Sequence, residues 1–309
     1  MDYVIFIVAM GALIYGADFI IKESERIALH FNISHFVIGA TLVAFGTSLP
    51  EMAASMMAAS EGKVDMAVAN VIGSIIFNTA LVLGIVFMIA KSMMPDRDLF
   101  SKDSAWVIVP VVVFVVMIQD GVISRADGFL FLLMMVSYLF FLFTSNKDEL
   151  EGELDEDLEK EKFQWGRAIL LLGIGFALTI GGANFVVESG THIARHLGVS
   201  EWIIGLFLIS LGTSLPELVV SIAAVRKGNA EMSIGNIIGS NVANFSMVLG
   251  GSALIRPLTV DLAAARFDII ILVAVSVTLL FILANKLYNK AGGIFLLTLL
   301  VLFVKNSFN

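Results

Sequence analysis

The hexapeptide Gly46-Thr47-Ser48-Leu49-Pro50-Glu51 recurs later in the chain as Gly212-Thr213-Ser214-Leu215-Pro216-Glu217. Each copy lies inside a run of apolar residues long enough to cross a bilayer, which takes about 20 residues. A carboxylate at that depth is costly and calls for a partner or a task. Proline lacks the N–H that a helix interior requires, and its ring clashes with the carbonyl one turn back. Both runs are therefore expected to be broken helices, with carbonyls near Ala44 to Gly46, and near Ser210 in the second copy, released from the helical ladder. Within a membrane such groups persist only where they line a cavity or meet a ligand. A single proline could mark a mere kink; a glutamate in both copies points beyond that.

The rest of the composition fits a membrane setting. Hydrophobic residues make up 58% and charged residues 15%, with a mean hydropathy of +0.94. A soluble domain would carry about 25% charge. Met1-Asp2 leads directly into an apolar run with no basic stretch before it, so that run is read as a first span rather than a signal peptide. With no cysteine, disulfides, thiolate metal sites and cysteine nucleophiles are excluded. The four histidines lie outside the apolar core runs, which argues against a zinc site. Nine of the 27 acidic residues sit between Asp148 and Glu161 and account for most of the net charge of −8. That segment lacks the alternating ligands and turn glycine of a calcium loop and reads as a solvated linker. The charge balance therefore points to no nucleic-acid partner.

Apolar runs predict an all-α membrane protein of ten transmembrane helices: 3–21, 35–59, 66–90, 104–119, 124–145, 166–187, 202–224, 232–254, 268–284 and 291–305. Residues 17–84 align without a gap on 183–250, with 27 of 68 positions identical. The chain thus divides into a first repeat (1–145), an acidic linker (146–165) and a second repeat (166–309). Two homologous halves of five spans each must face opposite ways across the membrane. Inverted repeats place a site at the midplane, where interrupted helices meet. With both termini outside, thirteen of the 19 Lys and Arg residues face the cytoplasm. This favours extracellular termini and a cytoplasmic linker.

The candidate site is a set of oxygens. Thr47 and Ser48 precede Glu51 by four and three residues, which puts them on one helical face; Thr213, Ser214 and Glu217 repeat the set. Ser74 and Asn78, and likewise Ser240 and Asn244, are four apart. Gly73 and Gly239 permit close helix approach. The total is two carboxylates, two amides, six hydroxyls and the carbonyls near Ala44 and Ser210, with no nitrogen or sulfur ligand. Six to eight oxygens suit calcium, and the same donors can hold sodium. Asn70 and Asn236 are read as packing or capping groups, and Ser55 and Ser221 as supports for the glutamates or as simple packing.

At these residues the chain resembles the calcium/cation antiporter superfamily, in particular the small prokaryotic sodium/calcium exchangers. The resemblance rests on Gly46–Glu51, Gly212–Glu217, Asn70-Val71-Ile72-Gly73-Ser74 and Asn236-Ile237-Ile238-Gly239-Ser240, which look like the family's two α-repeats. It implies a ten-helix fold with alternating access in the cell membrane, exchanging several sodium ions for one calcium. It further implies that Glu51 and Glu217 are central ligands for both ions. Thr47, Ser48, Ser74, Thr213, Ser214 and Ser240, with carbonyls near Ala44 and Ser210, would complete the sodium sites. Asn78 and Asn244 would be polar ligands. Some relatives, including potassium-dependent ones, carry aspartate where this chain has Asn244, so potassium dependence is not expected. Calcium and sodium would be substrates, with no prosthetic group. One chain supplies both halves of the site, so a monomer suffices, surrounded by lipid. A proton/calcium antiporter of the same fold stays open as an alternative. A channel is disfavoured by the closed midplane site, and an intramembrane hydrolase by the lack of any hydrolase motif; no enzymatic activity is expected.

Overall fold

A computed structural model describes residues 1–90, 95, 97–145, 163–198 and 212–307. The acidic stretch from Asp148 to Lys162 and Ser210 lie outside the described residues.

Eleven helices form the described part of the chain: α1 (Asp2–Phe31), α2 (His35–Thr47), α3 (Leu49–Ser60), α4 (Val64–Ile89), α5 (Leu99–Asp120), α6 (Arg125–Thr144), α7 (Trp165–His196), α8 (Leu215–Arg226), α9 (Ala230–Ile255), α10 (Leu262–Ala284) and α11 (Lys290–Ser307). Among the described residues, seven of these are long and apolar enough to span a bilayer on their own: α1, α4, α5, α6, α7, α9 and α10. The α2–α3 pair, bent by 46° at its break, makes an eighth candidate span. The expected span at 202–224 is described only from Gly212 onward, as the turn before α8 and α8 itself.

Two helices run well past their apolar cores. The expected spans 3–21 and 166–187 extend to Phe31 and His196. At about 1.5 Å per residue, α1 is roughly 45 Å long. The polar residues after Ile21 suggested an end, but Glu23 and Arg26 pair at 2.7 Å and are buried, so the helix continues. The predicted start of α5 at 104 moves to Leu99. Asp98 caps it by accepting from the Ser101 N–H at 3.1 Å, and the helix runs on through Pro110.

The helices α1 and α7 lie side by side. A Cβ on Gly16 would come within 2.7 Å of the Gly175 carbonyl, and one on Gly182 within 2.8 Å of the Leu13 nitrogen. Asp2, at the start of α1, approaches His192, near the end of α7. The pair is therefore antiparallel. Ala17 on α1 and Ala183 on α7 are equivalent positions in the sequence repeat, so these two equivalent helices run in opposite directions.

Burial separates an inner layer from a lipid-facing one. In α9 and α4, 83% and 72% of the apolar window is buried, against 28–39% in α1, α5, α6, α7 and α10. The inner helices are the ones that carry Ser240/Asn244 and Ser74/Asn78. A two-residue antiparallel ribbon, Val122–Ile123 with Leu258–Thr259, ties the α5–α6 connection to the segment after α9.

Candidate functional site

At the first hexapeptide, α2 ends at Thr47, Ser48 turns, and α3 begins at Leu49 with Pro50 in its opening turn. In the second copy Gly212–Ser214 form a turn and α8 begins at Leu215 with Pro216 in its opening turn. Proline is tolerated there because the first N–H groups of a helix have no partner within it. Each glutamate thus falls in the first turn of a helix, where the unpaired N–H groups and the helix dipole favour negative charge. Gly46 has helical backbone geometry; its need is space, since a Cβ there would lie 2.0 Å from the Phe176 ring on α7.

Glu51 and Glu217 are both wholly shielded from solvent. Hydrogen bonds cross between the halves around them. Ser48 donates to Glu217 Oε1 at 3.2 Å. The Thr47 hydroxyl lies 3.3 Å from the Ala44 carbonyl and 3.4 Å from Asn236 Oδ1. Ser240 donates to the Ala44 carbonyl at 3.4 Å. That carbonyl was expected to be freed by the break, but it also accepts from the Ser48 N–H at 3.0 Å, so the ladder persists to that residue. It is a shared acceptor with several donors rather than a released group. Thr213 is half-buried, and Ser74 is buried on α4.

Asn78 and Asn244 lie in stretches where the helix widens to i→i+5 bonding, at Phe77–Leu83 and Asn244–Leu249. Such π-turns cluster at functional sites. The Asn244 turn packs on α3, which bears Glu51, and the Asn78 turn packs on α8, which bears Glu217. The π-turn of each half therefore packs on the glutamate helix of the other half.

Eight buried polar atoms on these residues have no hydrogen-bond partner among the described residues. They are both oxygens of Glu51, Glu217 Oε2, Ser214 Oγ, and the amide oxygen and nitrogen of Asn78 and of Asn244. Leaving a buried polar group unpaired costs about 1–3 kcal/mol, more when it is charged. Six of the eight are oxygens, the donor type and number that a hard cation takes. Among the described residues no three His, Cys, Asp or Glu side chains come together. Three of the six oxygens belong to carboxylates and three are uncharged, so a cation here would draw on both kinds.

The supporting groups are more regular than the sequence suggested. Asn70 donates to Ser55 Oγ at 2.8 Å, and Asn236 to Ser221 Oγ at 3.1 Å. These pairs brace α3 and α8 one turn beyond each glutamate, and Asn236 also meets Thr47 of the other half. One contact escaped the sequence reading. Asn241 donates to Thr79 Oγ1 at 2.9 Å across the halves. Its repeat equivalent is Ile75, so a search for symmetric polar pairs passes over it. Gly239 allows the close approach expected of it, since a Cβ would lie 2.3 Å from the Ala40 carbonyl. At Gly73 no described atom lies within 4 Å of such a Cβ.

Known proteins match this chain over nearly its whole length. An uncharacterized membrane protein of Methanocaldococcus jannaschii is 35% identical over 96% of this chain and 95% of its own. A sodium/calcium exchanger of Methanosarcina acetivorans is 30% identical over 98% of this chain and 97% of its own. The solved structure of the sodium-calcium exchanger NCX_Mj, soaked without sodium or calcium, superposes with a TM-score of 0.85 at 31% identity, covering 99% of this chain and 98% of that one. Residues 1–144 and 167–308 match the family described as "Sodium/calcium exchanger protein", and the chain belongs to that family of multi-pass membrane antiporters.

Proposed function

We propose that this protein exchanges Na+ for Ca2+ across the cell membrane by alternating access, electrogenically and without potassium. The observation that carries this reading is the set of six buried oxygens on Glu51, Glu217, Asn78, Asn244 and Ser214 that have no hydrogen-bond partner among the described residues. Two ionised glutamates carry two negative charges. One calcium neutralises them, as do two sodium ions; a third sodium leaves one positive charge. Exchange of three sodium ions for one calcium then moves one net charge and responds to voltage. Both ions need the same carboxylates, so they compete for the site, and sodium entering down its gradient drives calcium out. Ser48, Thr47, Ser74, Thr213, Ser240, the Ala44 carbonyl and Ser210 complete the sodium coordination in this scheme. With amides rather than a third acid, no charge is left over for potassium.

The same reading places ten spans in two inverted repeats, 1–145 and 166–309, joined by the acidic linker in the cytoplasm, with both termini outside. The antiparallel run of α1 and α7 supports the inversion. A proton/calcium antiporter is the second reading, because the two carboxylates that bind cations can also carry protons; the hydroxyls grouped around them favour sodium.

Sodium-loaded vesicles containing the purified protein test this. Calcium uptake should follow the sodium gradient, respond to an imposed voltage and ignore potassium. Uptake that follows a pH gradient and is indifferent to sodium overturns the sodium-coupled reading.

A further inference from the structure

Arg97 lies in the connection between α4 and α5, yet its side chain points into the protein and is almost wholly buried. Its Nε donates to Asp103 Oδ2 at 2.7 Å and its Nη2 to Asp103 Oδ1 at 3.0 Å, a two-pronged bond. Its backbone N–H donates to Glu231 Oε1 at 2.9 Å. The guanidinium carbon stands 4.6 Å from the centre of the Phe36 ring. Asp103 has no solvent exposure.

A buried ion pair is a poor source of stability, since stripping water from the two charges costs about as much as their attraction returns. What it supplies is fixed geometry, and the elements it fixes are informative. Phe36 is in the first turn of α2, which ends at Thr47. Glu231 is in the first turn of α9, which carries Asn236, Ser240 and Asn244. Between these ends the helices touch backbone to backbone. A Cβ on Gly235 would lie 2.3 Å from the Phe36 carbonyl, and one on Gly39 2.4 Å from the Met232 carbonyl. Further along, the pair exchanges the Ser240–Ala44 and Thr47–Asn236 contacts of the site.

We propose that Arg97 is a positioning residue for ion binding: anchored on Asp103, it clamps the first turns of α2 and α9 in one register. The ligand oxygens of the two halves, carried on those helices, then meet at a fixed separation. This rests on the exchange reading above. Calcium needs six to eight oxygens at 2.3–2.6 Å, so it is the ion more sensitive to a loosened register.

The test compares wild type with Arg97→Lys, which keeps the charge and loses the two-pronged bond, and with the double variant Arg97→Gln/Asp103→Asn, which leaves no unpaired buried charge. Two quantities are read: calcium uptake by sodium-loaded vesicles over a range of calcium, and backbone amide exchange of residues 35–47 and 230–240. Expected are a rise of about tenfold in the calcium KM, the lower end for groups that orient metal ligands, a smaller change in maximal rate, and faster amide exchange in both segments. Wild-type KM in both variants overturns the proposal, as does a fall in maximal rate alone. If the wild type shows no sodium-driven uptake, the exchange reading fails. Amide exchange then judges the clamp alone, and unchanged protection in both segments overturns it.

Discussion

The Ser48 hydroxyl of the first repeat bonds to the Glu217 carboxylate of the second, at 3.2 Å. Its repeat equivalent, Ser214 Oγ, is buried with no partner among the described residues. The two halves are therefore related but not identical at the site. A hydrogen bond to a charged group contributes about 1.5–3 kcal/mol. Ser48→Ala should lower the melting temperature of the purified protein in ion-free buffer, while Ser214→Ala should leave it near wild type. Both should weaken calcium uptake. Equal melting temperatures would mean that the Ser48–Glu217 bond contributes nothing to stability.

Glu51→Gln and Glu217→Gln each remove one of the two charges available to neutralise a calcium ion. Either should cut sodium-driven calcium uptake by more than about 100-fold, beyond the range of groups that only orient ligands. Vesicle flux with radioactive calcium gives the answer, and near-normal exchange in either variant removes the central role assigned to these carboxylates.

Asn236 holds Ser221 within its own half and meets Thr47 of the other, whereas Asn70 bonds Ser55 and the Glu51 carbonyl within one half. Asn236→Ala should raise the calcium KM more than Asn70→Ala does. Side-by-side uptake curves check this, and the reverse order would show that the bridge between halves does not set the site.

Helix approach gives a prediction about stability alone. Gly239→Ala forces a methyl group against the Ala40 carbonyl, and overpacking of this kind costs about 1–3 kcal/mol. At Gly11, open space surrounds the same change, and alanine stabilises a helix interior by about 1 kcal/mol relative to glycine. Thermal unfolding in detergent should therefore show a lower midpoint for Gly239→Ala and an unchanged or raised one for Gly11→Ala.

Much of this site is legible in the order of residues because its signals are local or repeated. The proline four residues after Gly46 takes away the N–H that would meet the Gly46 carbonyl, and spacings of three and four residues group Thr47, Ser48 and Glu51 without any knowledge of neighbours. Other features are not local. The length of α1 was misjudged because burial of Glu23 depends on pairing with Arg26. The Ala44 carbonyl keeps its helical bond to the Ser48 N–H because Pro50 acts on the carbonyl one turn before it, that of Gly46. The π-turns at Asn78 and Asn244 depend on packing, and no propensity marks them.

By itself, the sequence determined that the chain is a membrane protein of two related halves, each with a proline and a glutamate set into an apolar run. Composition, periodicity and proline chemistry require that much in any apolar setting. Only the tertiary structure decided which groups meet: Ser48 with Glu217, Asn236 with Thr47, the Asn244 turn with the helix of Glu51, and Arg97 with the first turns of two ligand-bearing helices. These contacts join residues far apart in the chain. They depend on how closely glycine faces let helix backbones approach, which pairwise spacing along one strand of sequence does not encode.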